Sequence, residues 1–289
     1  MGSLNKEKLN WLQRNLPEGL LADTQWFQGH GFSRQLLRKY IQGGWLLPVA
    51  RGVYRRPAAK LPVPGQANDL QWQHVVISLQ NLMDYPVAVG GRTALELQGF
   101  GHYLSATSSR EVHVYRYQKN PPGWVSRLNL GTRLVLHRAT RLFEKAAISP
   151  GLGKRSDAPN ADAWFAQAGL TTHPWGHWNW PLILSTPERA ILELLDEVPQ
   201  RETFHQAEML MEGLSNLSPR RLHTLLVDCR SVKVKRLFLW FAERHNHAWL
   251  TKLERTSIDL GRGKRMLVRG GKLDKKFNIT VPETMDARV

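Results

Sequence analysis

Hydrophobic residues at the start of the chain recur at the spacing of one helix face. Leu9, Leu12 and Leu16 fall on the same side of a predicted helix over residues 4–16, and Pro17 ends it. The positions between them are mostly polar or charged. The pattern predicts an amphipathic helix, which we expect to complete a three-helix core with the two helices that follow.

The next apolar pattern predicts a helix-turn-helix. Thr24 is the expected N-cap of a short helix, and a Gly-His-Gly turn follows at 29–31. Ser33 is the expected N-cap of the second helix, which the glycines at 43–44 end. The predicted inward face of that helix is apolar and consists of Leu36, Leu37, Tyr40 and Ile41. Its predicted outward face is polar and consists of Arg34, Gln35, Arg38 and Lys39.

A two-stranded hairpin is predicted directly after the second helix. Its strands are residues 45–49 and 53–57, joined by a turn through 50–52. A hairpin in this position is typical of the wing of a winged helix. Its tip and returning strand are basic, with Arg51, Arg55 and Arg56.

The remainder of the chain predicts strands first and helices later. A proline-rich linker at 61–65 marks the predicted boundary between domains 1–60 and 61–289, and the second domain divides further into 61–185 and 186–289. In the first part we predict a helix at 69–83, strands at 85–89, 111–117 and 133–137, and a loop at 151–162. In the second part we predict helices at 189–196, 202–213, 219–228 and 232–246, then a hairpin at 258–282. The predicted fold class is α+β, a winged helix-turn-helix followed by a mixed α/β and helical C-terminal domain.

The net charge of +16 is concentrated at the two ends of the chain. Residues 1–60 carry 10 Lys and Arg against 3 Asp and Glu, and residues 230–289 carry 15 against 6. Residues 61–229 are balanced at 15 against 15. Because neutralisation of phosphates drives nucleic-acid affinity, the split indicates two surfaces that contact a polyanion.

The outward face of the second helix has the chemistry of DNA recognition. A recognition helix enters the major groove with its N-terminal residues at base edges, here Ser33, Arg34, Gln35 and Arg38. Arginine pairs bidentately with guanine, and glutamine with adenine. We expect the phosphates of double-stranded DNA to be held by Lys39, Arg51, Arg55 and Arg56. The alternative is a solvated amphipathic helix with a basic hairpin. In the tail, a second nucleic-acid or partner surface is predicted at Lys264, Arg265, Arg269 and Lys272.

The composition argues against a membrane protein, a secreted protein and a disulfide-bonded protein. No apolar run approaches the ~18–20 residues of a membrane span, and the N-terminus lacks the apolar region of a signal peptide. The single cysteine, Cys229, excludes an internal disulfide. We therefore expect a cytoplasmic protein with no membrane partner and no cofactor.

Two enzymatic or metal-binding interpretations compete with DNA binding. The histidine pairs 173/177 and 245/247 lack further ligands at zinc spacing, so no metal site is expected. Asp259 and the step 274–276 (Asp-Lys-Lys) match a metal-dependent nuclease only loosely. We expect no catalytic residues, and a nuclease-like C-terminal domain remains the alternative.

Five blocks together resemble the AbiEi family of transcriptional regulators, the antitoxins of type IV (AbiE) toxin–antitoxin systems of phage defence. They are VARGVYRRP (49–57), GGRTALELQGFGHYL (90–104), STPERAILELL (185–195), VKRLFLWFAER (234–244) and IDLGRGKRMLVRGGKLDKKFNITVP (258–282). The resemblance implies that the winged helix binds inverted repeats in its own promoter, where two copies pair on the DNA, and represses it. It also implies a C-terminal antitoxin domain that counters a nucleotidyltransferase-like toxin, without the two necessarily forming a stable complex. A C-terminal domain that binds the toxin directly is the alternative.

Overall fold

The computed structural model describes residues 2–57, 70–101, 111–117, 120–145 and 161–283. The protein is a mixed α and β structure, as the sequence predicts. The predicted linker at 61–65 and most of the predicted loop at 151–162 lie outside the described residues. Within the described part of the chain, none of the helices combines the length and apolar character needed to cross a membrane.

The N-terminal segment has the element order of a winged helix. Its elements are α1 (Gly2–Asn15), β1 (Leu21–Asp23), α2 (Thr24–Gly29), α3 (Arg34–Gln42), β2 (Leu47–Ala50) and β3 (Val53–Arg55). The three strands form an antiparallel sheet in the order β1-β3-β2. The predicted helices and wing are therefore confirmed, and β1 is an additional short strand that completes the sheet.

One predicted helix cap is wrong by a single residue. The N-cap of α2 is Asp23, whose carboxylate accepts a hydrogen bond from the Trp26 amide at 2.9 Å. Thr24 is instead the first helical residue, and its hydroxyl donates to the Gly52 carbonyl oxygen at 3.0 Å. Both residue types are good caps, so local sequence could not decide between them.

The middle of the chain folds around a five-stranded sheet. Its elements are α4 (Trp72–Asn81), β4 (Val87–Val89), α5 (Gly91–Leu97), β5 (Glu111–Arg116), β6 (Arg133–Arg138), α6 (Ala139–Leu142), α7 (Ala161–Ala168), β7 (Leu170–Trp175) and β8 (Trp180–Ser185). The strand order is β6-β5-β4-β8-β7, with β5–β6 and β4–β8 parallel and the other pairs antiparallel. The predicted helix at 69–83 and the three predicted strands are confirmed. The hairpin β7–β8 was not predicted.

The helical part surrounds one central helix. Its elements are α8 (Pro187–Glu197), α9 (Phe204–Gly213), α10 (Pro219–Asp228) and α11 (Val232–His245), which confirm the four predicted helices. Every residue of α8 from Glu188 to Leu195 is buried, although the sequence predicts only one apolar face. The predicted terminal hairpin is correct only for β10 (Lys272–Asp274) and β11 (Ile279–Val281), because β9 (Arg265–Met266) joins β11 in parallel.

The charged residues of α8 are buried because they hold the fold together. Glu193 accepts hydrogen bonds from the Gly91 amide at 3.0 Å and the Ser185 hydroxyl at 2.8 Å. Arg189 pairs with the same carboxylate at 2.8 Å and donates to the Ala168 carbonyl oxygen at 2.8 Å. This network joins the Gly91 amide to the block at 185–195, so Arg189 and Glu193 stabilise the fold.

The winged segment packs directly against the rest of the molecule. The Trp26 indole donates to the Leu82 carbonyl oxygen at 2.9 Å, and the Leu21 amide donates to the Ser78 hydroxyl at 2.8 Å. One continuous cluster of buried apolar side chains extends from Leu12 of α1 to Val281 of β11. The winged helix is therefore supported by α4 and shares its core with the C-terminal part.

Candidate nucleic-acid interface

A hydrogen-bonded cap fixes the start of α3. The Ser33 hydroxyl accepts a hydrogen bond from the Leu36 amide at 3.1 Å, which confirms the predicted N-cap. Gly31, in the preceding turn, has φ +75°, a conformation that favours glycine. The helix ends at Gly43, and Gly44 again has a positive φ of +72°. Local sequence therefore sets both ends of α3.

Aromatic rings hold the turn that leads into α3. Trp11 of α1 packs against Trp26, His30 and Phe32, with ring centroids 4.8–5.7 Å apart. The Lys8 ammonium donates to the His30 carbonyl oxygen at 2.8 Å and lies 5.0 Å above the Phe32 ring. Helix α1 thus anchors the turn and fixes the direction of α3. Lys8 could not be identified from the sequence, because its partners are 22 to 24 positions away.

The outer face of α3 presents the four predicted DNA-contacting side chains together. Arg34, Gln35, Arg38 and Lys39 are exposed, whereas Leu37 and Tyr40 are buried beneath them. Within the described residues, the structure gives none of these four side chains a hydrogen-bond or ion-pair partner. Three cations and one amide on one face form a surface that can bind phosphates and base edges.

The wing divides its three predicted cations into two groups. Arg51 is exposed in the turn between β2 and β3, where Gly52 adopts φ +75°. Arg55 is half-buried, and its Nε donates to the Gly19 carbonyl oxygen at 3.1 Å. Burial lowers the pKa of Arg55. Of these two, only Arg51 is presented freely to a DNA backbone.

Arg56 is also held by contacts within the protein. Its guanidinium donates to the carbonyl oxygens of Gln13 and Leu16, the latter at 2.9 Å, and pairs with Glu18 at 3.3 Å. These contacts satisfy carbonyl groups at the end of α1. The predicted phosphate contacts of Arg55 and Arg56 stay predictions, and the structure adds a fold-stabilising role for both.

One aromatic residue beside α3 was not predicted as a surface residue. Trp45 was assigned to the first wing strand, but β2 begins at Leu47, and 44% of the Trp45 side chain is exposed. Its position directly after the glycines that end α3 places it next to that helix. An exposed tryptophan after a helix stop is the sequence signal that could have identified it.

The predicted second surface in the tail is also exposed. Lys264, Arg265, Arg269 and Lys272 all lie on the outside of the β9–β11 sheet region. Two apolar side chains are exposed among them, Met266 at 66% and Leu273 at 38%. The surface therefore combines cations with apolar contact area, which a phosphate backbone alone would not require.

A single buried arginine of α11 holds the backbone of this tail. The Arg236 guanidinium donates to the carbonyl oxygens of Leu260 at 2.7 Å, Gly261 at 3.1 Å and Gly263 at 2.6 Å. It also donates to the Asn278 carbonyl oxygen at 3.2 Å. Arg236 is only 3% exposed. The tail is thus fixed through its main chain, and its four predicted binding cations are not used for that support.

The residues of the nuclease alternative have structural partners. Asp259 accepts a hydrogen bond from the Gly261 amide at 2.7 Å, and Asp274 accepts one from the Phe277 amide at 2.9 Å. The Lys276 ammonium pairs with Glu243 at 2.6 Å. In the described part of the chain, no group of three or more His, Cys, Asp or Glu side chains is arranged to hold a metal ion. Asp259 and Asp274 are thus held in turns of the tail, and Lys276 links the tail to α11.

Comparisons with known proteins agree on one family along nearly the whole sequence. Residues 109–282 match the family model of the transcriptional regulator, AbiEi antitoxin of the type IV toxin–antitoxin system. Residues 5–106 match the model of the AbiEi antitoxin N-terminal domain. No curated protein sequence matches significantly.

A solved structure shares the fold at low sequence identity. The crystal structure of the RV2827C protein from Mycobacterium tuberculosis matches with a TM-score of 0.52 and 13% identity. The match covers 99% of this chain and 93% of the other. The two proteins therefore have the same overall arrangement of both halves.

Proposed function

Because the chain belongs to the AbiEi antitoxin family of transcriptional regulators, we propose that it is a sequence-specific repressor of its own operon. In this proposal the winged helix binds inverted repeats in the promoter, and two copies pair on the DNA. The C-terminal part then acts as the antitoxin against a nucleotidyltransferase-like toxin encoded beside it. Such a regulator acts in the cytoplasm and performs no catalysis.

The observation that carries the DNA-binding proposal is the outer face of α3. Its four polar side chains are exposed and have no partner within the described residues, while both ends of the helix are fixed. Because the helix is already fixed, DNA binding need not order its backbone, and the unpartnered side chains break no internal contact when they bind. Arg34, Gln35 and Arg38 lie near the N-terminal end, where a recognition helix meets base edges. Lys39 and Arg51 lie in positions suited to phosphate contacts.

The experiment separates base recognition from phosphate contact. Operator and scrambled DNA are titrated with the full chain at several salt concentrations, and binding is followed by fluorescence anisotropy. Arg34→Ala is expected to cost about 1–3 kcal/mol on the operator and little on scrambled DNA. Arg51→Ala is expected to weaken both DNAs alike and to reduce the salt slope by about one.

A matched control uses an arginine away from the winged helix. Arg133 on β6 is exposed and pairs with Glu111 at 3.2 Å, so Arg133→Ala should leave both affinities unchanged. Equal selective losses for Arg34→Ala and Arg51→Ala would refute the division of roles. No operator preference in the unmodified protein would refute the repressor proposal itself.

A second candidate for the C-terminal part is direct binding of the toxin. The exposed Met266 and Leu273 favour it, since apolar side chains among cations suit a protein partner with an acidic, partly apolar surface. Co-expression of toxin and antitoxin with a single affinity tag tests this. Co-purification that is lost in Met266→Asp would support a direct complex, whereas toxin neutralisation without co-purification would support the type IV arrangement.

A further inference from the structure

A cleft of about 450 Å³ opens beside the edge of the five-stranded sheet, and none of its residues belongs to the DNA surface described above. It lies between the ends of β5 and β6, helix α6 and the C-terminal end of α8. The charged and polar side chains that define it are Arg116, His137, Arg138, Arg141, Glu197 and Arg201. Its volume falls within the range of small-ligand sites, about 300–1,000 Å³.

Two arginines in the cleft lie side by side without a counter-charge. In the parallel pairing of β5 with β6, Arg116 is the register partner of Arg138. Like charges directly opposite on neighbouring strands destabilise a sheet. Burial, and after it the charge of Arg138, lower the pKa of Arg116. Arg141 follows one turn of α6 later, and all three arginines line the cleft.

These three arginines have no partner within the described residues, whereas the acids of the cleft already have theirs. The Glu197 carboxylate bonds to His137 Nδ1 at 3.2 Å and to Arg201 Nε at 3.3 Å. Asp196 lies 3.8 Å from the Lys233 ammonium. The uncompensated charge of the cleft is therefore positive and belongs to the three arginines.

Two hydrogen-bonded histidines hold the floor of the cleft rigid. His137 Nε2 lies 3.0 Å from Nδ1 of the buried His113, and the two rings are stacked at 5.1 Å between centroids. The His113 amide in turn donates to the Thr93 hydroxyl oxygen at 3.0 Å. Glu197 and His137 thus have fixed orientations, and a bound anion would meet a rigid site.

We propose that this cleft binds a phosphate group of a small ligand, either an organic phosphate or a free polyphosphate. Arginine forks bind phosphate oxygens bidentately, and one phosphate between Arg116 and Arg138 would remove their repulsion. The carboxylates of Asp196 and Glu197 on the opposite wall disfavour a long polyanion. The cleft therefore suits a compact ligand better than a nucleic-acid backbone, and it gives the protein an anion site separate from both basic ends.

The test measures binding of inorganic pyrophosphate and of ATP to the full-length protein by calorimetry. Saturable binding is expected, and Arg116→Gln combined with Arg138→Gln should weaken it at least tenfold. Arg133→Gln, on the same strand but at its far end, is the matched control and should bind like the unmodified protein. Tighter binding of ATP than of pyrophosphate would identify a nucleotide as the class, and the reverse would identify a free polyphosphate group.

Thermal denaturation shows whether each variant is folded, so that a loss of binding is not mistaken for a loss of structure. Without ligand, the double variant should melt at the same temperature as the unmodified protein or higher, because a like-charge contact is gone. Only the unmodified protein and Arg133→Gln should gain stability from pyrophosphate. The proposal is overturned if neither probe saturates, if the double variant binds as well as the control, or if only oligonucleotides bind.

Discussion

The two basic ends of the chain differ in how their cations are used. The N-terminal end, with a net charge of +7, places its free cations on a capped helix and at a wing tip, and commits Arg55 and Arg56 to contacts within the protein. The C-terminal end, with +9, keeps its predicted cations exposed on short strands and turns. Its backbone is held instead by Arg236 of α11.

Net charge alone therefore overestimates the number of cations that a surface can offer to a ligand. An arginine that satisfies carbonyl oxygens of its own chain contributes to charge counts but is not freely available to a phosphate. At the N-terminal end this leaves a rigid helix face, which suits recognition of base edges. At the C-terminal end it leaves free cations on turns, which suits contacts that do not depend on sequence. If the two ends divide their cations in this way, substitutions of structural and of free cations should have different effects on stability and on binding.

The largest expected effect is the loss of Arg236. Arg236→Met removes the guanidinium donors to four carbonyl oxygens, of which that of Asn278 keeps a hydrogen bond from the Arg265 amide. We expect a loss of about 3–5 kcal/mol in unfolding free energy. Urea denaturation followed by circular dichroism measures it. Arg262→Ala, an exposed arginine of the same loop, should change the stability by less than about 0.5 kcal/mol.

The same Arg236 variant sharpens the comparison of the two ends. Because α3 does not contact Arg236 through any described hydrogen bond, folded Arg236→Met should keep its preference for operator DNA. A loss of operator preference at a temperature where the variant is folded would mean that the ends are coupled through their shared core, although different hydrogen bonds hold α3 and the tail.

The next largest effect is the difference in stability between the Arg56 and Arg51 substitutions. Arg56→Ala should cost about 1–3 kcal/mol of stability, because the guanidinium contacts with two carbonyl oxygens and with the Glu18 carboxylate are lost. Arg51→Ala should leave stability unchanged and weaken DNA binding. If Arg56→Ala instead preserved stability and weakened binding as much as Arg51→Ala, the original assignment of Arg56 to phosphate would be correct.

How much of the fold could be predicted from the sequence depends on how far apart along the chain the interacting residues lie. Helix α3 was predicted with its cap and end, because Ser33, the glycines and the apolar spacing are all local signals. The hairpin β7–β8 was not predicted, because Pro174 and Pro181, which are register partners in the sheet, made its strands resemble a loop.

The candidate sites show the same limit. The exposed side chains of α3 follow from helical spacing alone, whereas the internal use of Arg56 depends on carbonyl groups 40 or more positions away. The arginine cleft could not be predicted either, since Arg116, Arg138 and Glu197 come from separate segments that only strand pairing and helix packing bring together.

A smaller effect is expected from pH where the winged segment meets the region of the five-stranded sheet. Burial, and after it the charge of Arg55, lower the pKa of His74 from 6.5 to about 4, and its ring meets Trp175 at 4.7 Å. The unfolded chain therefore binds more protons between those values. The contribution of His74 to stability is complete above about pH 6.5 and is lost as the pH falls towards 4.

Removing Arg55 tests this junction directly. Arg55→Gln should raise the pKa of His74, which an NMR titration of its ring protons measures, and should shift the acid-induced loss of stability to the same extent. Arg51→Gln is the control, because its guanidinium is exposed at the wing tip. An unchanged His74 pKa in Arg55→Gln would show that Arg55 does not face it in solution.

The smallest effect should come from a single cation of the tail. If the tail is a second nucleic-acid surface, Arg269→Gln should lower the salt slope of DNA binding by about one. Operator and scrambled DNA should be affected by the same factor, because turns fixed through their main chain offer no recognition helix to a groove. Lys252→Gln, an exposed lysine on a neighbouring helical turn, should have no effect. A changed operator preference would mean that the tail recognises bases, and no change on either DNA would assign the tail to a protein partner.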